Sequence, residues 1–360
     1  EIENTSAGKI TVGDNSVGIY GINNTDIKND GKIAIGNSAT GIFYSDVFKD
    51  QKTGVTTVYN TAKGLTNNGT IETAGNDSVA MTYEPGNIGL NTVTFENKGT
   101  VKMTGDRNTA MFAKVSKDKV SYNTINSGTI TMGNSASLNN PNVAMYTDST
   151  SDTINPLINS GTITVGNRAI GIFGYEAKNS GNITVGDEGI GIYSQGGNVS
   201  LTAGTMKTGG NEAVGVYTVG NNQTVVNTGT KFDVGSGSFG FVNVGSGNSV
   251  SSTVSDANLN GDAVYIYSND NTSSINNTTN IKAVGTSNPG KNYGIYAAGN
   301  VLNSGNIDFS NGVGNIGIYS IKGGNARNTG IITVGDSDTT NSLYGIGMAA
   351  GYSTTDTGNI

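Results

Sequence analysis

The chain has 360 residues and a net charge of −7, with 55 Gly, 50 Asn, 4 Pro and no Cys, His or Trp. Those zeros exclude a Ser-His-Asp triad, a Cys-His dyad, a thiolate nucleophile, a His-ligated zinc and a zinc finger. The acidic balance argues against a phosphate backbone as partner, because nucleic-acid binding needs clustered Lys and Arg; no nucleic acid is expected.

Abundant Gly and Asn would suggest disorder, but 34% of residues are apolar and only 13% are charged, so periodicity decides. The chain is a repeat. It opens with SAGKITVGDNSVGIY at 6–20 and NDGKIAIGNSATGIF at 29–43, then NNGTIETAGNDSVAM at 67–81, NKGTVKMTGDRNTAMF at 97–112 and NSGTITMGN at 126–134. The most regular copies are NSGTITVGNRAIGIF at 159–173 and NSGNITVGDEGIGIY at 179–193. TAGTMKTGGNEAVGVY at 202–217, NTGTKFDVGSGSFGF at 227–241, the degenerate DANLNGDAVYIY at 256–267, TTNIKAVG at 278–285, NSGNIDFSNGVGNIGIY at 303–319 and NTGIITVG at 328–335 follow. About thirteen copies with a mean period of about 27 residues signal a solenoid.

Within one copy, Ile163 and Val165 alternate with Thr162 and Thr164, and after a Gly-Asn-Arg corner Ile170 and Ile172 alternate with Ala169, Gly171 and Phe173. Period two means strand. A weaker third strand carries Val93 and Phe95, Val120 and Tyr122, Val199 and Leu201, or Val225. No segment shows sustained helical spacing, and Gly, Asn and Thr are poor helix formers, so essentially no α-helix is expected. Three strands per coil give an all-β fold, a triangular parallel β-helix (β-solenoid) running through 1–360 as one continuous body, loop-rich over 1–156 and more regular over 157–360. Gly13, Gly36, Gly133, Gly166, Gly186 and Gly335 are expected to supply positive φ at the bends. Asn29, Asn67, Asn97, Asn126, Asn159, Asn179, Asn227, Asn303 and Asn328 open the phrase, and in register they predict a side-chain ladder up one corner.

The phrase N-S-G-x-I-T-V-G, a corner and G-I-G-I-Y, as at 179–193, resembles the passenger repeats of the RadD-like large outer-membrane autotransporter adhesins of fusobacteria, which are type Va autotransporters. The resemblance covers almost the whole chain. It implies a right-handed β-helix at the cell surface, extracellular, anchored through a C-terminal barrel outside this sequence, and mediating attachment to host cells or partner bacteria. Zero Cys agrees with a chain exported unfolded. No signal peptide, apolar span or run of barrel strands is present, so the chain reads as a passenger fragment and is expected to be monomeric.

Function is sought where copies depart from the repeat, because loops on a rigid scaffold carry binding. The corner after the G-I-Y strand is lengthened in four consecutive coils, at 44–54, 82–89, 113–119 and 147–156. Residues 44–120 also hold 17 of the 47 charges in 77 positions, which marks the same flank. Tyr44, Asp46, Lys49, Asp50, Lys52, Glu84, Lys114, Lys117, Lys119, Asp148 and Asp152 are therefore the candidate contact residues for a receptor, glycan or protein. The competing readings are solvated insertions on a pure stalk, or a polysaccharide-degrading β-helix enzyme using Asp187 and Glu188 or Asp336 and Asp338. Those carboxylates sit at variable corners, so no catalytic residue, cofactor or metal is expected.

Overall fold

The structure, a computed structural model, describes all residues except 23–24, 59–62, 87–92, 115–121, 149–154, 286–289, 322–323 and 352–360. Among the described residues there is no helix: thirteen coils form, each giving one strand to each of three parallel sheets. The fold is the right-handed parallel β-helix that the repeat predicts. The coils fall in two compact units, 1–182 and 183–360.

In the unit 1–182, the first sheet runs from Ile2–Asn4 to Ala177–Asn179 with every Asn in register. Nδ2 of each Asn donates to Oδ1 of the next, Asn4 to Asn29 (2.7 Å), Asn67 (2.6 Å), Asn97 (2.7 Å), Asn126 (2.8 Å), Asn159 (2.8 Å) and Asn179 (2.7 Å). These side chains are buried, so an unmade bond would leave a desolvated amide; the ladder satisfies each one with its copy in the next coil. Behind it, Ile33, Ile71, Val101, Ile130 and Ile163 stack from the second sheet and Ile42, Met81, Met111, Met145 and Ile172 from the third, all fully buried.

The unit 183–360 repeats the plan with two departures in the row of asparagines, Leu201, in register with Asn227, and Ser252. Asn277, Asn303 and Asn328 keep the ladder at 2.7 Å per step, but Ser252 stands where an Asn is expected. Its hydroxyl meets the Thr279 and Tyr265 hydroxyls, each at 2.8 Å. Tyr265 is fully buried, packs against Phe232 and Phe241, and has its phenol pushed up to about 12 by that burial. The degenerate copy at 256–267 is thus a coil whose core is refilled by a tyrosine.

Two expectations are corrected. None of Gly13, Gly36, Gly133, Gly166, Gly186 or Gly335 has left-handed φ; that conformation lies two residues later, at Asn15, Ser38, Arg168 and Glu188, with φ of 50° to 56°. Gly36, Gly133, Gly166 and Gly335 answer crowding between coils, whereas a Cβ on Gly13 would meet nothing within 4 Å. A Cβ on Gly166 would lie 2.7 Å from the Asn134 amide nitrogen, and elsewhere one on Gly128 would collide with the Gly99 carbonyl oxygen. Alternation also fails in the third sheet, where Ala169 and Gly171 are buried along with Ile170 and Ile172. Pairing there skips a residue, as between Val79↔Thr109 and Met81↔Met111, so the pleat is broken and successive side chains turn inward.

Asn97→Ala would orphan the Asn67 donor and the Asn126 acceptor at once, and is expected to cost about 2–3 kcal/mol in urea unfolding. Lys102→Ala, on an exposed outward position of the same coil, should stay within about 0.5 kcal/mol.

Candidate functional site

All the candidate contact residues belong to the unit 1–182. The first insertion leaves the third-sheet strand Thr40–Ser45 and forms an antiparallel hairpin, Val47–Lys49 with Thr56–Val58. Asp50 organises its tip by accepting the backbone N–H groups of Lys52 (2.7 Å) and Thr53 (2.9 Å), and those two amides hold its carboxyl below the usual range. Lys49 and Lys52 stand exposed on either side. Lys117, Lys119 and Asp152 lie outside the described residues.

Tyr44 and Asp46 are not contact residues, which corrects the sequence expectation: both are fully buried. The strand's period-two order places Tyr44 on the same side as Ile42 and under the insertion. Its ring stacks on Tyr83 with centroids 5.5 Å apart, its hydroxyl accepts the Lys63 N–H at 3.2 Å, and the Tyr83 hydroxyl donates to Asp46 Oδ2 at 2.9 Å. Burial raises the Asp46 carboxyl pKa, opposed by hydrogen bonds from Tyr83, Tyr44 and the Gly86 amide. This cluster fastens the root of the hairpin.

Glu84 and Lys114 are brought together at 2.5 Å, and Glu84 also accepts the Ser45 hydroxyl at 3.0 Å. Asp148 is exposed beside Tyr146, whose phenol is raised by burial and then by that charge.

Between the hairpin and the outer face of the third sheet lies a cleft of about 570 Å³. Tyr20 and Phe43, stacked at 5.4 Å, form part of its lining with Val47 and Phe48; Lys49, Gln51 and Glu84 supply polar groups. A concave apolar surface with a few polar groups is the general form of a ligand site. Tyr20, Phe43, Phe48 and Gln51 were not among the sequence candidates. The signal for two of them was the aromatic that closes the phrase at Tyr20, Phe43, Phe112, Tyr146 and Phe173, always at an outward position. Glu84 is committed to Lys114 and Ser45, while Asp187 accepts the Gly210 amide of the next coil and Asp338 the Asn341 amide of its own turn. Compared with known proteins, the chain matches no family model, no curated protein and no solved structure.

A buried aspartate with a raised pKa favours the folded state most when protonated, so its contribution is lost as pH rises through the folded value. Asp46→Asn, which can still accept from Tyr83, should raise the melting temperature at neutral pH. The gain should shrink as pH falls toward 3.8, the ordinary value, in melts recorded across that window.

Proposed function

We propose that this chain is a segment of a bacterial surface adhesin, exported and anchored through parts outside this sequence, that binds a receptor on host cells or partner bacteria. In this reading the β-helix is the rigid scaffold, and the insertions after the third-sheet strand make the contact, with a glycan or a protein. The observation that carries it is the cleft beneath the 47–58 hairpin, where aromatic rings are joined by Lys49, Gln51 and Glu84. A pure spacer has no need of a hairpin fastened at its root by a buried Tyr–Asp pair. The spacer reading is favoured by the coils over 157–195, whose corners carry no insertion, so spacing and recognition are assigned to different coils.

Replacing 47–58 by a short Gly-Asn turn should preserve the β-sheet spectrum. It should lower attachment of the 360-residue chain to epithelial or partner bacterial cells by about fivefold or more. Attachment by the parent chain that the replacement leaves unchanged would remove the hairpin from the contact surface, and no attachment by the parent would leave the spacer reading.

A further inference from the structure

The third sheet of the unit 183–360 has an outer face that differs from that of the second sheet in carrying no charge, and from that of the first sheet, whose strands there contain only Arg327 as a charge, in its rows of tyrosines. Its strands Ile190–Gln195, Val214–Val219, Phe239–Val244, Val264–Ser268, Tyr293–Ala298 and Ile316–Ile321 contain no Asp, Glu, Lys or Arg. The second sheet, by contrast, carries Lys207, Lys231, Asp233, Asp256, Lys282 and Asp308. Along the charge-free face, tyrosines stand half-exposed and in contact: Tyr193 on Tyr217 (5.2 Å), Tyr267 on Tyr296 (5.6 Å) and Tyr296 on Tyr319 (5.1 Å), with Tyr293 beside Tyr296 at 5.5 Å. Near one end, Tyr293 and Ile316 share a cleft of about 330 Å³ with Leu343 and Tyr344.

We propose that this face binds an extended neutral polysaccharide, independently of the hairpin in the other unit. Size argues against a second copy of the chain. With strands ~4.8 Å apart and a width of about five residues, the face covers roughly 400–500 Å², whereas a stable protein interface buries about 800 Å² per partner. A peptide strand would seek backbone groups, and the interior strands of a sheet have theirs engaged in the ladder. What remains on offer is ring surface, methyl groups and phenolic hydroxyls, which match the alternating C–H faces and hydroxyls of sugar rings. The sign of the border disfavours anionic polymers: the corner ahead of these strands carries Glu188, Glu212 and Asp262 against Lys291, which itself lies 3.7 Å from Asp262. An acidic polymer would be repelled there.

The test is affinity electrophoresis of the 360-residue chain in gels containing galactomannan, hydroxyethylcellulose or dextran, with polygalacturonate as the anionic arm. Because the chain has 16 Tyr and no Trp, tyrosine emission reports binding directly. We expect retardation by at least one neutral polymer with a change in emission, and none by polygalacturonate. Tyr267→Ala/Tyr296→Ala/Tyr319→Ala should lose about tenfold in affinity, while the matching Tyr→Phe variant, which keeps the rings, should lose less than about threefold. The chain with 47–58 replaced should bind as the parent does, which separates this proposal from the hairpin reading. Should the alanine variant not fold, the emission change in the parent and retention by the phenylalanine variant decide. No retardation by any neutral polymer, retardation by polygalacturonate alone, or unchanged binding in a folded alanine variant overturns the proposal. So does a parent dimer in sedimentation that the tyrosine substitutions dissociate.

Discussion

Successive coils of a parallel β-helix stand ~4.8 Å apart, the distance at which one strand hydrogen-bonds to the next. Every position must therefore tolerate its own kind directly above and below. At the first corner this condition selects Asn, because an amide can both donate to and accept from a copy of itself, and the buried run Asn4 to Asn179 does so at 2.6 to 2.8 Å per step. Beside it the same spacing selects Gly, since the Gly99 carbonyl oxygen lies where a Cβ on Gly128 would have to be. In the interior, aliphatic columns meet the condition through dispersion and burial.

Outside, the constraint acts on charge. Like charges stacked in register repel, and apart from Lys9 in register with Lys32 the paired strand positions put charges against opposite or neutral neighbours: Glu72 lies in register with Lys102, and at a corner Arg107 bridges to Asp77 with contacts of 2.6 and 2.7 Å. Both of those last residues are in the left-handed conformation at their corners. Exposed pairs of this kind contribute about 1 kcal/mol or less, so they permit the stacking more than they drive it. The third sheet takes the other solution and replaces charge by aromatic rings, which stack on themselves without repulsion.

The coil plan was legible because each of its parts repeats. Period two gave the strands, the period near 27 gave the coils, and the recurring Asn predicted a ladder that the structure contains. Glycine is ambiguous in sequence because a position beside a corner fits either a left-handed φ or a close approach. Only the stacked coordinates tell that Gly166 is crowded while Arg168 bends the chain. The candidate flank was legible in part. Lys49, Lys52 and Lys114 are exposed as expected, but Tyr44 and Asp46, which follow the last repeated letter and so read as the start of a loop, are buried. Counting parity from Ile42 would have put Tyr44 inside. No sequence count could have given the 570 Å³ cleft, which depends on a hairpin lying over the outer face of neighbouring coils.

The asparagine ladder also has a direction. In every step from Asn4 to Asn179 the amide nitrogen belongs to the earlier coil and the oxygen to the later one. The side-chain dipoles therefore align head to tail, and each bond polarises the amide that forms the next. A coil already in place presents an oriented N–H group at the spot where the following Asn must arrive, so the corner behaves like the living end of a polymer. A chain that folds from one end can be templated one coil at a time by such an end.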